Sequence, residues 1–251
     1  MHDASVKSAR RALEILEYFD EVRSDASVME FVRELNYPQS SASGILKCLA
    51  EMGYLSYDPQ KRRYAPTHRV ALLGSWIQSP QLGGGRVLEL MEELSELTHE
   101  TIILAEQPGT IVRYIHVVPS RKTMRLHVGP RTTRPLARSG IGRLFLSTYP
   151  EERIRSLFKR INADAGPDDP ILRLSDMEEA LAAIRERGYS FLTHGVTPGA
   201  GIVAMMLPHE EGSPGLALAI GGFSQSIAGN EAELVELMRS GIARHIVDVR
   251  H

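Results

Sequence analysis

The chain has 251 residues, of which 43% are hydrophobic, and its 29 basic residues nearly balance its 31 acidic ones. This length favours about two domains, and so balanced a charge gives no indication of a partner. The sequence has a single cysteine, Cys48, so no internal disulfide can form. It contains no run of about 18 apolar residues that could cross a membrane, and its N-terminus has no apolar signal segment. We therefore expect a cytoplasmic protein.

The first 66 residues read as three helices followed by a hairpin. A first amphipathic helix is predicted over about 8–20. Ser27 and Glu30 form a capping-box pattern that opens a second helix. Pro38 suits the first turn of a third helix, which is predicted to end at Gly53. The segments YLSY, DPQK and RRYAP then predict strand, turn and strand. This order is typical of a winged helix-turn-helix domain.

The third helix has two unlike faces. An apolar stripe forms at i, i+3, i+4 and i+7 from Ala42, Ile45, Leu46 and Leu49. The opposite face carries small or hydrogen-bonding residues, which suit close approach to the major groove of DNA, about 12 Å wide. Candidate DNA contacts therefore lie on this helix, at the hairpin tip and at the start of the first helix. They are Ser40, Ser41, Ser43, Lys47, Arg62, Arg63 and Arg10.

Two other classes of function remain as alternatives. The first 66 residues hold nine basic and ten acidic residues, and most dedicated DNA-binding domains are more basic. A winged helix can also serve as a protein-docking module. An enzyme is less favoured because the sequence contains no HExxH, CxxC, Walker A or G-x-S-x-G pattern. We expect no catalytic residues, no metal and no cofactor. The DNA interpretation is preferred because the basic residues sit at both ends of the surface that a duplex would cover.

Residues 67–85 predict a linker helix and a glycine-rich joint. The helix carries Val70, Leu73, Trp76 and Ile77 on one side. This apolar face is larger than a short isolated linker needs. It favours a dimer contact, and the alternative is that the helix packs only on its own domain.

Residues 86–251 predict an α+β domain with an antiparallel sheet covered by helices. An amphipathic helix precedes the strand segments TIILAEQ, IVRYIHVV and MRLHVG. A helix follows Pro135, and a further helix stops at Gly188. The segments YSFLTH, GIVAMML and GLALAIGG predict three more strands, after which Asn230 caps a last helix.

Between Gln107 and Pro150 the chain contains no Asp or Glu. Positive charge without counter-charge attracts a small anion, and the backbone amides of Gly140 and Ile141, which open a helix, favour a carboxylate. The alternative is that most of these basic side chains pair with acidic residues elsewhere in the chain. The basic residues in the stretch are Arg113, Arg121, Lys122, Arg125, Arg131, Arg134, Arg138 and Arg143.

Several segments resemble one known family. SVKSARRALEILEYF, PQSSASGILKCLAEMGYLSYDPQKRRYAP and RVALLG resemble the DNA-binding half of the IclR family of bacterial transcriptional regulators, and VGPRTTRPLARSGIGRLFLS resembles the segment around that family's effector pocket. The resemblance implies a winged-helix domain over 1–66, a linker helix, and a GAF-like effector-binding domain over 86–251. It also implies dimers, often paired into tetramers, that bind palindromic operators, usually as repressors.

Two departures from the family pattern affect the expected sites. The family usually has an arginine where this chain has Gly44, so base recognition must depend on the serines, on Lys47 or on DNA shape. In members that bind small oxo-acids, the last four pocket positions are commonly polar, whereas this chain has Leu, Ile, Ala and Gly. An oxo-acid would leave polar atoms unpaired there at about 1–3 kcal/mol each, so we expect a larger, partly apolar carboxylate or a lactone. The pocket positions implied by the resemblance are Leu126, Gly140, Ile141, Leu192, Ile202, Ala219 and Gly221.

Overall fold

A computed structural model of the chain describes residues 2–73, 85–166, 170–209 and 215–247. The chain divides into two compact units, Met1–Gln78 and Ser79–His251. Trp76 and Ile77 of the predicted linker helix lie outside the described residues, as does most of the glycine-rich joint.

The N-terminal unit has the predicted winged helix-turn-helix order. In its hairpin, Tyr57 lies opposite Tyr64 in an antiparallel pair, and Ala26 forms a single bridge with Tyr64 from the other side. The turn between the first two helices is thereby joined to the hairpin. The first helix is longer than predicted. The elements are α1 (His2–Val22), α2 (Val28–Glu34), α3 (Gln39–Glu51), β1 (Leu55–Asp58), β2 (Arg63–Pro66) and α4 (His68–Leu72).

Apolar residues one helical turn apart build the core of this unit. The rings of Phe19 and Phe31 meet edge to face with their centroids 5.3 Å apart. The predicted apolar stripe of α3 is confirmed, because Ala42, Leu46 and Leu49 are all buried. Burial of this stripe decides which face of α3 points outward.

The C-terminal unit contains one six-stranded sheet. Its strand order is β5-β4-β3-β8-β7-β6, and every neighbouring pair is antiparallel. The elements are α5 (Arg86–Thr98), β3 (Thr101–Glu106), β4 (Ile111–Val118), β5 (Thr133–Pro135), α6 (Gly140–Ser147), α7 (Glu151–Ala163), α8 (Glu178–Arg187), β6 (Ser190–Thr193), β7 (Ala200–Met206), β8 (Ala217–Phe223), α9 (Ser224–Gly229) and α10 (Glu231–Ile242).

Both faces of this sheet are covered by helices. Ile102 and Leu104 of β3 belong to a buried apolar cluster with residues of α5 and α10. Ile103 and Ala105 point to the opposite face and join a second cluster with residues of α6, α7 and α8. The alternation of side chains along β3 therefore places the sheet between two helical layers.

The segment 124–129, MRLHVG, is not the strand that its sequence predicts. Its backbone is irregular, and the strand paired with β4 is β5, a few residues later. The guanidinium of Arg125 donates to the carbonyl oxygen of Ser120 at 2.8 Å, which folds the segment back onto its own loop. Two helices, α7 and α9, are also missing from the sequence-based prediction.

Gly142, inside α6, provides a test of how closely this helix packs. A Cβ atom placed there would lie 1.9 Å from the carbonyl oxygen of Leu136. We expect Gly142→Ala to lower the free energy of unfolding by about 2–3 kcal/mol, measured by urea denaturation, because the backbone must shift. Gly129→Ala is the matched control, since a Cβ there meets no atom within 4 Å. Equal stability of the two variants would contradict the prediction.

Candidate functional site

The outer face of α3 carries small and polar side chains. Ser40, Ser43, Gly44 and Lys47 follow helical spacing, and all four are exposed. A Cβ atom built on Gly44 has no heavy atom within 4 Å, so packing inside the domain does not require a glycine there. Because most of these side chains are small, this face can come close to the base edges in the major groove of DNA.

Ser41 differs from the other three candidate residues on this helix. It is half-buried, and its hydroxyl oxygen accepts a hydrogen bond from the guanidinium of Arg11 at 3.1 Å. Arg11 also lies over the ring of Tyr37, 5.0 Å from the ring centroid. Ser41 thus joins α3 to α1, which is not the exposed position expected for a DNA contact.

The basic residues at the hairpin tip have two different environments. Arg62 is exposed and takes a positive φ of 53° in the turn. Arg63 is half-buried: its Nε donates to Asp25 at 2.8 Å, and its Nη1 lies 3.0 Å from Glu30. This differs from the expected phosphate contact, because the guanidinium of Arg63 is used inside the domain. Arg10 on α1 is exposed and lies 3.8 Å from Glu14.

Glu30 connects the start of α2 to the hairpin. Its carboxylate accepts hydrogen bonds from the hydroxyl of Ser27 at 2.7 Å and from the backbone N–H of Ser27 at 2.8 Å, which confirms the capping-box pair. These hydrogen bonds, together with the charge of Arg63, lower the pKa of Glu30 to about 2.

A cavity of about 300 Å³ lies on one face of the sheet in the C-terminal unit, beside the start of α6. The segment 126–128 and the loop 195–197 form part of its lining. This volume is at the lower end of the range for small-molecule sites in proteins. The predicted pocket residues that line it are Leu126, Gly140, Ile141, Leu192, Ile202 and Gly221.

Ala219 is a correction to the predicted pocket. It pairs with Ile103 on one side and with Ala204 on the other, and its exposed fraction is zero. Ala219 belongs to the apolar cluster between the sheet and the helices, so it does not line the cavity.

The start of α6 packs directly against the sheet. A Cβ atom on Gly140 would lie 2.5 Å from a methyl carbon of Ile202 and 3.3 Å from the Cβ of Leu192. Ser139 caps the helix, and its hydroxyl accepts from the backbone N–H of Gly142 at 3.1 Å. Only glycine at position 140 allows this approach, which brings the N-terminus of α6 to the wall of the cavity.

The cavity also has polar lining residues that the sequence analysis missed. Arg134 and Tyr114 line it from β5 and β4, and His127 lines it from the irregular segment. The guanidinium carbon of Arg134 lies 5.9 Å from the ring centroid of Tyr114. Burial raises the pKa of Tyr114, and Arg134 acts in the opposite direction. Because the third strand was predicted at 124–129, the sequence did not indicate that Arg134 lies on a strand and lines the cavity.

Three of the other basic residues of the acid-free stretch pair with glutamates, as the alternative predicts, whereas Arg125, Arg138 and Arg143 form no ion pair among the described residues. Arg125 and Arg143 donate to backbone carbonyl oxygens, and Arg138 is exposed. Burial lowers the pKa of Arg143. Ion pairs with glutamates join Arg113 to Glu106, Arg121 to Glu96 and Lys122 to Glu100.

Within the described parts of the chain, no group of three His, Cys, Asp or Glu side chains is placed to hold a metal ion. None of the helices described there is long and apolar enough to cross a membrane.

A winged helix in one unit and a ligand-sized cavity in a second unit define a transcriptional regulator with separate DNA-binding and sensing domains. The sequence profile described as the IclR helix-turn-helix domain matches residues 8–59. The profile described as the bacterial transcriptional regulator IclR C-terminal domain matches residues 86–247. The chain therefore belongs to the IclR family of bacterial transcriptional regulators, a family of regulators and not of enzymes.

Similar proteins extend over most of the chain. The acetate operon repressor of Salmonella typhimurium is 27% identical over 220 residues, which cover 86% of this chain and 80% of the relative. The transcriptional repressor IclR of Escherichia coli is 26% identical with the same coverage. A crystal structure of an IclR transcriptional regulator from Alicyclobacillus acidocaldarius has a TM-score of 0.61 at 23% identity, covering 98% of both chains. The Thermotoga maritima IclR structure has a TM-score of 0.61 at 20% identity, covering 96% of this chain and 99% of that one.

The pH dependence of stability tests the link between Glu30 and the hairpin. We expect Glu30→Gln to lower the free energy of unfolding by about 1–2 kcal/mol at neutral pH. Because the folded-state pKa lies below the ordinary value of 4.5, this stabilisation is present above pH 4.5 and is lost as the pH falls towards about 2. Urea unfolding followed by circular dichroism at several pH values measures the difference.

Glu34→Gln is the control for this experiment. Glu34 is also on α2, and among the described residues its one ion pair is with the exposed Arg33, so its removal should change stability little at any pH. A Glu30→Gln deficit that stays constant from neutral to acidic pH would show that the charge of Glu30 is not responsible.

Proposed function

We propose that this protein binds a palindromic operator as a homodimer or tetramer in the bacterial cytoplasm and that a small organic effector controls this binding. The observation that carries the proposal is the exposed, small-residue face of α3 on a winged-helix frame. Repression is the favoured output, since two of the relatives are named repressors. Dimer symmetry would present two copies of α3 to two operator half-sites.

The proposed DNA contacts fall into two groups. Ser40, Ser43 and Lys47 on α3 enter the major groove, where hydroxyl and ammonium groups can bond to base edges or phosphates. Arg62 at the hairpin tip and Arg10 on α1 contact phosphates on either side. Ser41 and Arg63 support these contacts without touching DNA themselves. Ser41 holds α3 against α1, and Arg63 holds the hairpin against α2.

The proposed effector is a partly apolar carboxylate, with a lactone as the uncharged alternative. Leu126, Leu192 and Ile202 give the cavity an apolar surface, which disfavours a ligand that is polar all over. The backbone amides at the start of α6 and the side chain of Arg134 offer hydrogen-bond donors to the polar end of the ligand.

The proposed control is a two-state equilibrium. One state of the oligomer holds its two recognition helices at the half-site spacing, and the other does not. A ligand shifts this equilibrium only by the difference in its affinity for the two states. The cavity is the part of the C-terminal unit where such a difference can arise.

Salt-dependent binding to DNA tests the main proposal. Fluorescence anisotropy with a labelled duplex from the region upstream of the protein's own gene should show tight binding that weakens steeply with salt. Lys47→Ala and Arg62→Ala should each weaken binding, and loss of a phosphate contact should reduce the log–log salt slope by about 1. Lys159→Ala removes an exposed charge from α7 in the other unit and should leave binding unchanged.

The same titration distinguishes the alternative function. Binding to the upstream duplex with no salt dependence, or no binding to any duplex, would overturn the DNA proposal. A protein-docking role for the winged helix would then be preferred.

Gly44 makes a separate prediction about how close α3 comes to DNA. An exposed glycine inside a helix costs about 0.8–1 kcal/mol relative to alanine. Gly44→Ala should therefore stabilise the protein in urea denaturation, because the added methyl group meets no neighbour. We expect the same change to weaken operator binding several-fold, since the methyl group would face the groove. Stabilisation with unchanged DNA affinity would show that Gly44 does not approach the bases.

A further inference from the structure

We propose that Arg134 selects the effector, which is a monocarboxylate whose acid group pairs with the Arg134 guanidinium while its apolar body lies against Leu192 and Ile202. This inference rests on the proposed function, because it names the ligand class of the same cavity. It moves the expected anchor for the acid from the amides at Gly140 to a side chain on the opposite edge of the sheet.

The charge of the cavity lining carries the first part of the argument. The described residues that line the cavity include no Asp or Glu, and among them Arg134 is the one permanently charged side chain; His127 is the other basic group. None of the ion pairs formed among the described residues includes Arg134. Its contacts there are the ring of Tyr114 and a weak 3.4 Å hydrogen bond to the carbonyl oxygen of Thr133. A guanidinium on a cavity wall without a carboxylate partner is a site for an anionic ligand.

The position of Arg134 is fixed by the sheet. Arg134 lies opposite Val112 in the β4–β5 pair, so its side chain shares the face that Val112 and Tyr114 occupy. The hydrogen bond from the backbone N–H of Tyr114 to the carbonyl oxygen of Thr132, 2.9 Å long, extends this pairing towards the irregular segment. The Tyr114 ring then holds the guanidinium at the cavity through a cation–π contact. An arginine placed in this way loses little freedom when it binds a carboxylate.

Asp164 is the acidic residue that could compete for Arg134. Both residues border a second cavity of about 340 Å³ beside β5, together with Arg138. Asp164 and Arg134 form no ion pair in the described part of the chain, so the charge of Arg134 remains available. Arg138 borders the second cavity but not the first, which makes it a natural control.

The apolar part of the lining favours a ligand with one acid group. Leu126, Ile141, Leu192 and Ile202 supply apolar surface, and a second carboxylate placed against these side chains would lose its hydration without gaining a partner. A monocarboxylate with an alkyl or aryl body satisfies both parts of the cavity. Dicarboxylates and small oxo-acids do not.

The test compares acids with their uncharged isosteres on the full-length protein. Isothermal titration is carried out with butanoate, hexanoate, octanoate, benzoate and phenylacetate, and with the primary amide of each. We expect at least one acid to bind about tenfold or more tightly than its amide, which corresponds to a charged hydrogen-bonded pair of at least about 1.4 kcal/mol. Arg134→Met should remove this preference, so that the acid binds no better than the amide, whose affinity stays unchanged.

Two further variants control the result. Arg138→Met removes a positive charge four residues away and should keep the full preference for the acid. Arg134→Gln keeps a polar but shorter and uncharged side chain and should lose the preference as Arg134→Met does, which guards against a packing defect in the methionine variant.

Each contrary outcome has a distinct meaning. If Arg134→Met and Arg134→Gln retain the preference for the acid, the carboxylate lies elsewhere, for example at the Gly140 amides, and the inference is wrong. If no acid in the panel binds, or amides bind as well as acids to the unmodified protein, the ligand class is wrong. DNA binding measured by anisotropy on the same samples separates these results from a failure of the proposed function.

Discussion

The close contact between the start of α6 and the sheet is the constraint on which the C-terminal unit depends. Gly140 leaves no space for a side chain against Ile202 and Leu192, and Gly142 leaves none against the carbonyl group of Leu136. Gly140 lets the helix N-terminus lie against β6 and β7, so its amides meet the cavity wall, and Gly142 lets the first turn lie against the segment that precedes the helix. Ile141 and Phe145 of the same helix are buried in the apolar cluster on this face of the sheet. The close approach of α6 to the sheet therefore determines both the packing of this helix and the shape of the cavity beside it.

The N-terminal unit uses charge in a different way. Arg63 is held by Asp25 and Glu30 beside the bridge between Ala26 and Tyr64, so one of its cations is used to fix the hairpin. Four exposed cations, Arg10, Arg23, Arg33 and Lys61, also lie within 4.0 Å of a carboxylate. Because each phosphate contact adds a salt-dependent increment to DNA affinity, such pairing would reduce what one winged helix contributes. In the proposed oligomer, joining several copies on one operator would compensate for this.

Periodic patterns predicted most of the fold, and long-range pairing explains the errors. The apolar stripe of α3 follows from local periodicity, and the start of the last helix follows from its capping residue, Asn230. The side chains of segment 124–129 alternate between apolar and polar as in a strand. The strand that pairs with β4 is nevertheless β5, a shorter run that contains a proline. That choice depends on contacts far apart in sequence, which no local pattern records. The same error left Arg134 out of the predicted cavity lining. Ala219 was wrongly included in that lining, because a residue on the sheet face that bears the cavity can still be covered by α6.

The packing around the cavity limits which parts of its lining can move when a ligand binds. Gly140 packs against β6 and β7, and Gly142 packs against the carbonyl group of Leu136, with no space for a side chain at either position, so the start of α6 has little freedom to respond. The loop after β4 is anchored at its base: the Ser120 hydroxyl donates to the carbonyl oxygen of His99 at 2.7 Å, and Lys122 pairs with the buried Glu100. Between that anchor and β5 lies the irregular segment that carries Leu126 to the cavity. A ligand that contacts both this segment and Arg134 would join the irregular segment to the edge strand. In the proposed two-state equilibrium, a difference in affinity between the states would then arise at this edge of the sheet.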